Sequence, residues 1–283
     1  MPIITALTLY PIKSCGSIHL SEAQLSDAGL NSELIYDREW MVIDEHGIAL
    51  TQRTHPKMAL IQPRFKADML ELRAPGMLAL ELALDLPDPA ATPSRMVQVW
   101  DDTMLAFDCG DLCATWFSRA LDTECRLVRF HVDAKRLAKR EWTGSIEAPT
   151  LFADGFPLLL VSQASLDDLN QKLVAQGRDP IPMDRFRPNI VISDCAAFEE
   201  DYAAEFISGD IMIKPVKPCS RCNLPAVDQS TGEFGPDPMD ILQTYRANPI
   251  IDDRISFGMN CVLLSGQGQS LKVGQTLEMN LAF

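Results

Sequence analysis

Residues 78–86 read Leu-Ala-Leu-Glu-Leu-Ala-Leu-Asp-Leu, and their spacing decides the fold class. Leu78, Leu80, Leu82, Leu84 and Leu86 alternate with Ala79, Glu81, Ala83 and Asp85, so a strand would carry every leucine on one face. Ala74-Pro75-Gly76 just upstream is a turn, which predicts that this strand folds back on Met69 to Leu72. Working outward, Ile3-Ile4-Thr5-Ala6-Leu7-Thr8-Leu9 suits a buried strand ended by Pro11. Asp37 to Asp44 predicts another, turning through Asp44-Glu45-His46-Gly47 and returning through Ile48 and Leu50 as a hairpin.

Helices are fewer. Leu112, Trp116, Phe117 and Ala120 share one helical face after Gly110. Ser165-Leu166-Asp167-Asp168 has the form of a helix cap, with Leu169 and Leu173 on the stripe behind it. Asp237-Pro238 predicts an N-cap and first residue for a short helix carrying Ile241, Leu242 and Tyr245. Pro87 to Pro93 reads as a linker-like loop, and no internal repeat is present. The fold class expected is α+β and β-rich, with barrel-like sheets.

The 283 residues suffice for one large domain or two modest ones, and 47% hydrophobic with 23% charged residues is ordinary globular composition. The longest apolar stretch, Phe156 to Val161, is far below the roughly 18 residues of a membrane span. The N-terminus lacks the basic start and apolar block of a signal peptide, so a cytoplasmic protein without membrane association is expected. A formal net charge of −14 repels polyphosphate, which argues against nucleic acid as a partner. Eight cysteines in a reducing compartment are expected to be free thiols, buried or acting as ligands.

Three segments could carry chemistry. Cys219-Ser220-Arg221-Cys222 is a C-x-x-C that fits half a zinc site, a redox dithiol or two unrelated thiols. His19, His46, His55 and His131 all lie far upstream, which leaves zinc short of ligands. No helix is expected after Cys222, which weakens the dithiol, while Arg221 favours a thiolate suited to soft metals. Arg185-Phe186-Arg187-Pro188-Asn189 leads two arginines into a buried strand, Ile190 to Ile192. They either aim a planar donor fork at an anion or pair with Glu199, Glu200 or Asp201. Pro11-Ile12-Lys13-Ser14-Cys15-Gly16 is a strand end that serves as an anion-binding loop or as an ordinary turn.

Four segments occur in one order: YPIKSCGS (10–17), YDREWMVID (36–44), RFRPNIVIS (185–193) and CSRCNLPAVDQSTGEFG (219–235). SFGMNCVLL (256–264) and SLKVGQTLEM (270–279) follow them. Together they resemble the MOSC family with its N-terminal β-barrel partner domain, in the branch of the amidoxime-reducing components and YcbX-type proteins. The resemblance covers nearly the whole chain. It implies two barrel-like domains, at 1–120 and 121–283, sharing a cofactor cleft.

It further implies a molybdenum–molybdopterin cofactor with Cys222 as the metal's thiolate ligand. Cys219 would be a packing thiol. Lys13, Ser14, Arg38, Arg187, Asn189, Ser220 and Arg221 would contact the pterin and its phosphate. Four of these are cations, as burying an anionic cofactor requires. Lys135, Arg136, Lys139 and Arg140 read instead as a solvated helix face. Asp228 reads as a turn carboxylate, with a proton donor as the alternative. The sequence departs from the family at Gly155-Phe156-Pro157 and Asn260, so roles at those positions are not carried over.

The activity implied is two-electron reduction of N-hydroxylated small molecules. The C-x₄-C-x₂-C run of an iron–sulfur domain is missing, so no iron–sulfur cluster is expected in this chain. A separate flavoprotein or iron–sulfur protein would supply electrons. The rival from another class is a sulfur or cofactor carrier using Cys222 as a persulfide.

Overall fold

The computed structural model describes residues 1–32 and 35–282. Among them, 22 strands and four α-helices make the protein β-rich. The largest sheet runs in the order Ile18–Leu20, Ile3–Leu9, Ile190–Ser193, Leu158–Ser162, Arg254–Ser265, Ile211–Ser220, Ala203–Ser208, Glu278–Leu281. Backbone bonds from Ile4 N to Gln275 O (2.9 Å) and from Leu277 N to Pro2 O (2.8 Å) join its ends, so the sheet closes towards a barrel. A second sheet orders Ser94–Val99, Asp102–Asp108, Arg126–Phe130 and Trp40–Ile43.

Two strand exchanges tie the halves together. Ile3–Leu9 lies antiparallel to Ile190–Ser193, and Ser270–Lys272 pairs with Glu22–Ser26. The first sets the loop after Leu9 beside the residues that precede Ile190. Leu158–Ser162 and Ile190–Ser193 are parallel and are joined through the helix Gln163–Ala175, a βαβ unit. Leu9, Ile12, Trp40, Leu160, Ile190 and Cys261 lie in one continuous core, so the loops above these strands stand on a packed floor.

Several sequence readings hold at their centres and shift at their ends. The strand at Leu80–Ala83 pairs with Met69–Arg73 and buries Leu80, Leu82 and Leu84. Leu78 and Leu86 lie beyond it in solvent, because alternation alone does not say where ladder partners stop. In the helix Gly110–Leu121 the buried stripe is Cys113, Trp116, Phe117 and Leu121; Leu112 is exposed one step away. The cap of Gln163–Ala175 is Ser162, three residues earlier than expected. Its hydroxyl accepts from Ser165 N, and Ser165 bonds buried Glu200 instead of starting the helix. Asp237 accepts from Met239 N ahead of the helix Met239–Gln243, and Pro238 takes the cap position.

The basic run is not a helix face. Lys135 and Lys139 are exposed in irregular chain, while Arg136 is buried. Arg136 bonds Asp102 (2.7 Å), Thr150 Oγ1 (3.2 Å) and the carbonyls of Leu151, Ala153 and Asp154. It therefore fastens the 150–154 loop to the hairpin that turns at 100–101.

Candidate active site

The loop after Ile3–Leu9 is stitched to residues 38–40. Arg38 N donates to Tyr10 O (2.7 Å), Trp40 N to Pro11 O (3.0 Å) and Lys13 N to Trp40 O (2.8 Å). Ser14, Arg38 and Arg187 all adopt left-handed backbone, with φ of 65°, 52° and 54°. Such conformations are disfavoured for residues other than glycine and gather where function fixes the chain.

Two guanidinium groups from distant segments meet over Tyr10. The Arg187 guanidinium lies 4.2 Å from the Tyr10 ring centroid and that of Arg38 lies 4.6 Å away. Arg38 pairs with Asp37 and donates to Asn189 Oδ1 (3.2 Å) and Arg187 O (3.3 Å). Asn189 is pinned further by Leu159 N and Thr8 O. Burial pushes the Tyr10 phenol up to about 12, against the opposing pull of the two arginines. Burial also lowers the pKa of Arg187.

Arg187 has one terminal nitrogen buried without any hydrogen-bond partner among the described residues. A buried orphan donor costs about 1–3 kcal/mol, so this cradle is short of an anionic oxygen. Arg185, two residues earlier, also leaves its buried Nε unpartnered, but its terminal nitrogens are engaged: it pairs with Asp228 (2.8 Å) and donates to Pro225 O and Ala226 O. The carboxylates expected as partners go elsewhere; Asp201, for one, pairs with Arg246. Asp228 also accepts from Ser230 N, Ser230 Oγ and Thr231 N, and the Ser230 hydroxyl heads the contacts that hold its carboxyl below the usual range. With four donors on it, it holds its own turn and Arg185, as the turn reading expects.

Lys13 is buried and donates to Phe152 O (2.9 Å) and Asp154 Oδ1 (2.5 Å). Burial lowers its pKa while Asp154 resists the shift. Surrounding protein favours the neutral Asp154 acid, but Lys13 outweighs that and holds the carboxyl low. The Asp154 side chain is nevertheless 68% exposed, so solvent screens this pair and it adds little stability.

The C-x-x-C begins at the end of the strand Ile211–Ser220. Ile211–Ser220 runs antiparallel to Arg254–Ser265, placing Ser220 opposite Ser256, and Arg221 N then donates to Ile255 O (2.9 Å). The Arg221 fork donates to Phe257 O and Phe186 O, which fixes the turn that presents Cys222. Cys222 is exposed, whereas burial pushes the half-buried Cys219 thiol up despite Arg221 nearby. Arg53 reaches to 3.9 Å from Cys222 Sγ and lies 4.2 Å from the Trp100 ring centroid. The Trp100 indole in turn donates to Asp154 Oδ1 (3.2 Å).

The two regions are thus linked through Cys222, Arg53, Trp100, Asp154 and Lys13. Arg38, Asn189 and Arg187 form the cradle in direct contact, Ser14 sits in the adjoining loop, and Ser220 and Arg221 flank Cys222. Tyr10, Arg53, Trp100 and Asp154 were missed by sequence reasoning. A tryptophan at a hairpin turn was the one available signal. Among the described residues, no three His, Cys, Asp or Glu side chains gather as a protein-only metal centre needs. All eight cysteines are free.

The family model for the MOSC N-terminal beta barrel domain matches residues 1–124, and that for the MOSC domain matches residues 147–278. The human mitochondrial amidoxime reducing component 2 is 35% identical over 247 residues, covering 86% of this chain and 72% of the relative. Human component 1 is 34% identical over the same length, with the same coverage of both chains. The component 1 protein of Mus musculus is 35% identical over 247 residues, 86% of this chain and 71% of its own.

Proposed function

The chain belongs to the MOSC family, in the two-domain form it shares with the amidoxime-reducing components, and from that premise we propose that it is a molybdenum–molybdopterin reductase of N-hydroxylated small molecules. The observation that carries the reading is the orphaned, buried Arg187 nitrogen beside Arg38 and Asn189. A cation is buried there without an anion, inside a protein of net charge −14. The phosphate of the cofactor has the acceptor oxygens and the negative charge to fill it.

In this proposal Cys222 is the metal's thiolate ligand, with Lys13, Ser14, Arg38, Arg187, Asn189, Ser220 and Arg221 lining the cofactor. Bound molybdenum supplies the two-electron couple that, with two protons, converts an N–OH group to N–H and water. The protein's part is positional. Arg221 holds the turn that carries Cys222, Asn189 fixes Arg38, and Arg136 fixes the loop bearing Asp154. The division at 1–120 and 121–283 is then one of labour, since each part supplies residues to the same cleft. Electrons come from a separate flavoprotein or iron–sulfur protein. Among the described residues no helix is long and apolar enough to cross a membrane, and eight free thiols support a reducing compartment, here the cytoplasm.

The exposure of Cys222 also suits a sulfur carrier. A carrier, however, has no use for a buried cation cradle two domains wide. The test is the molybdenum and pterin content of protein from a cofactor-competent host, followed by reduction of benzamidoxime with a chemical electron donor. Near-stoichiometric metal and benzamidine formation are expected. Folded protein with neither metal nor pterin would sink the reading and return attention to a persulfide on Cys222.

A further inference from the structure

The reduction proposed above changes the charge of what it acts on. An oxygen on nitrogen withdraws electron density, so an amidoxime is weakly basic and neutral near neutral pH. Its product is a strongly basic amidine and therefore a cation. In balance, the neutral amidoxime takes two electrons from the donor protein and three protons, and leaves as amidinium and water. A fixed positive charge beside the reacting position would tell these two apart.

The cleft holds such a charge. Arg53 has no carboxylate within ion-pair distance among the described residues. It is held by Thr51 Oγ1 (3.3 Å) and the Trp100 ring (4.2 Å), with Nη1 3.9 Å from Cys222 Sγ. The charged groups facing it do not cancel it. Asp154 does feel Arg53 but is already engaged by Lys13 and by the Trp100 indole, and Arg221 spends its fork on backbone carbonyls.

Trp100 is the second observation. It occupies the turn between Ser94–Val99 and Asp102–Asp108 at φ 55°, where glycine or asparagine is the usual choice. The indole remains 51% exposed, so core packing does not account for it. A bulky residue held in left-handed backbone at a site's edge points to a role there. That role is to present a flat face on which Arg53 is immobilised.

We propose that Arg53, positioned by Trp100, is the charge-selective wall of the substrate site beside Cys222: it admits neutral N-oxygenated substrates and expels the cationic product. This rests on the reductase reading and adds to it the determinant of product release. Arg53 is the specificity residue and Trp100 a positioning residue.

The experiment uses cofactor-loaded, oxidised protein without an electron donor, so that binding is read without turnover. Dissociation constants of benzamidine and of benzamidoxime are measured by calorimetry for wild type, Arg53→Gln and Arg53→Lys. Arg53→Gln is expected to bind benzamidine about tenfold more tightly and benzamidoxime within about twofold of wild type. Arg53→Lys should keep the wild-type ratio, and added salt should shrink the difference between wild type and Arg53→Gln. Under turnover, product inhibition by benzamidine should deepen in Arg53→Gln. An unchanged affinity ratio in Arg53→Gln, in protein that still reduces benzamidoxime, overturns the wall and spares the reductase. Wild-type loaded protein that neither binds nor reduces benzamidoxime overturns both.

Discussion

At the Arg187 end of the site the two arginines are largely buried and set on left-handed backbone, and Arg187 is short of a partner; at the Cys222 end the charged groups are more exposed and joined in a chain of contacts. Arg187, Arg38 and Asn189 stand in short connections that run directly into the core strands Ile190–Ser193 and Trp40–Ile43. Arg53, Trp100 and Asp154 stand on turns open to water. The difference separates two costs. Burying an unpaired cation destabilises the folded chain before any ligand arrives, whereas solvent screens the exposed charges at all times. On the function proposed, the buried end suits tight retention of the cofactor and the exposed end exchange of substrate.

Four experiments would break or sharpen that contrast. The largest effect is expected from Cys222→Ala, which should lose nearly all bound molybdenum while the apo-protein melts as wild type does; elemental analysis with thermal denaturation reads both. Next, Arg187→Met should make the apo-protein more stable by about 1 kcal/mol in urea unfolding, since it deletes a buried orphan donor. The same variant should retain pterin about tenfold less well, and a destabilised apo-protein would mean that Arg187 is already satisfied.

The third concerns pH. The folded-state pKa of Tyr10 is raised to about 12 from an ordinary value near 10. Its contribution to stability is therefore fully present below pH 10 and lost as pH rises towards 12. Absorbance titration should show a late phenol that Tyr10→Phe removes, and that variant should lose less stability between pH 10 and 12 than wild type. An ordinary titration midpoint for Tyr10 would put water in the cradle. The smallest effect belongs to the exposed end: Arg53→Gln should change apo-protein stability by only about 0.5 kcal/mol, the range of an exposed cation–aromatic contact. A loss of several kcal/mol would make the mouth as structural as the cradle.

The contrast also explains what could be read in the sequence. Lys13, Arg187 and Cys222 sit in short motifs whose local chemistry is visible, and the ordered segments led to the family. That Arg187 is the free arginine and Arg185 the structural one was not visible, because Asp228 reaches Arg185 from a turn more than forty residues away. Arg53, Trp100 and Asp154 have no motif; only the folded chain brings them within reach of Cys222. For the fold, periodicity found the strand centred on Leu82 and the helix centred on Trp116. It misjudged Leu78, Leu86 and Leu112, since a pattern of side chains does not mark where a ladder ends or which flank of a stripe meets the core. Ser162 went unnoticed as a cap because the favourable spacing at Ser165 was used instead to hold Glu200.

The exchanged strands set a timetable for biogenesis. Ile3–Leu9 pairs with Ile18–Leu20 on one edge but has no partner on the other until Ile190–Ser193 exists, and Glu22–Ser26 waits for Ser270–Lys272 to cover its edge. At roughly 5–20 residues per second on the ribosome, these edges stay open for about 10–35 s and about 10–50 s respectively. During that interval apolar strands with unpaired backbone are presented to every other nascent chain. Chains truncated before residue 270 are therefore expected to aggregate more readily than the full chain, the consequence of closing the first strands with the last.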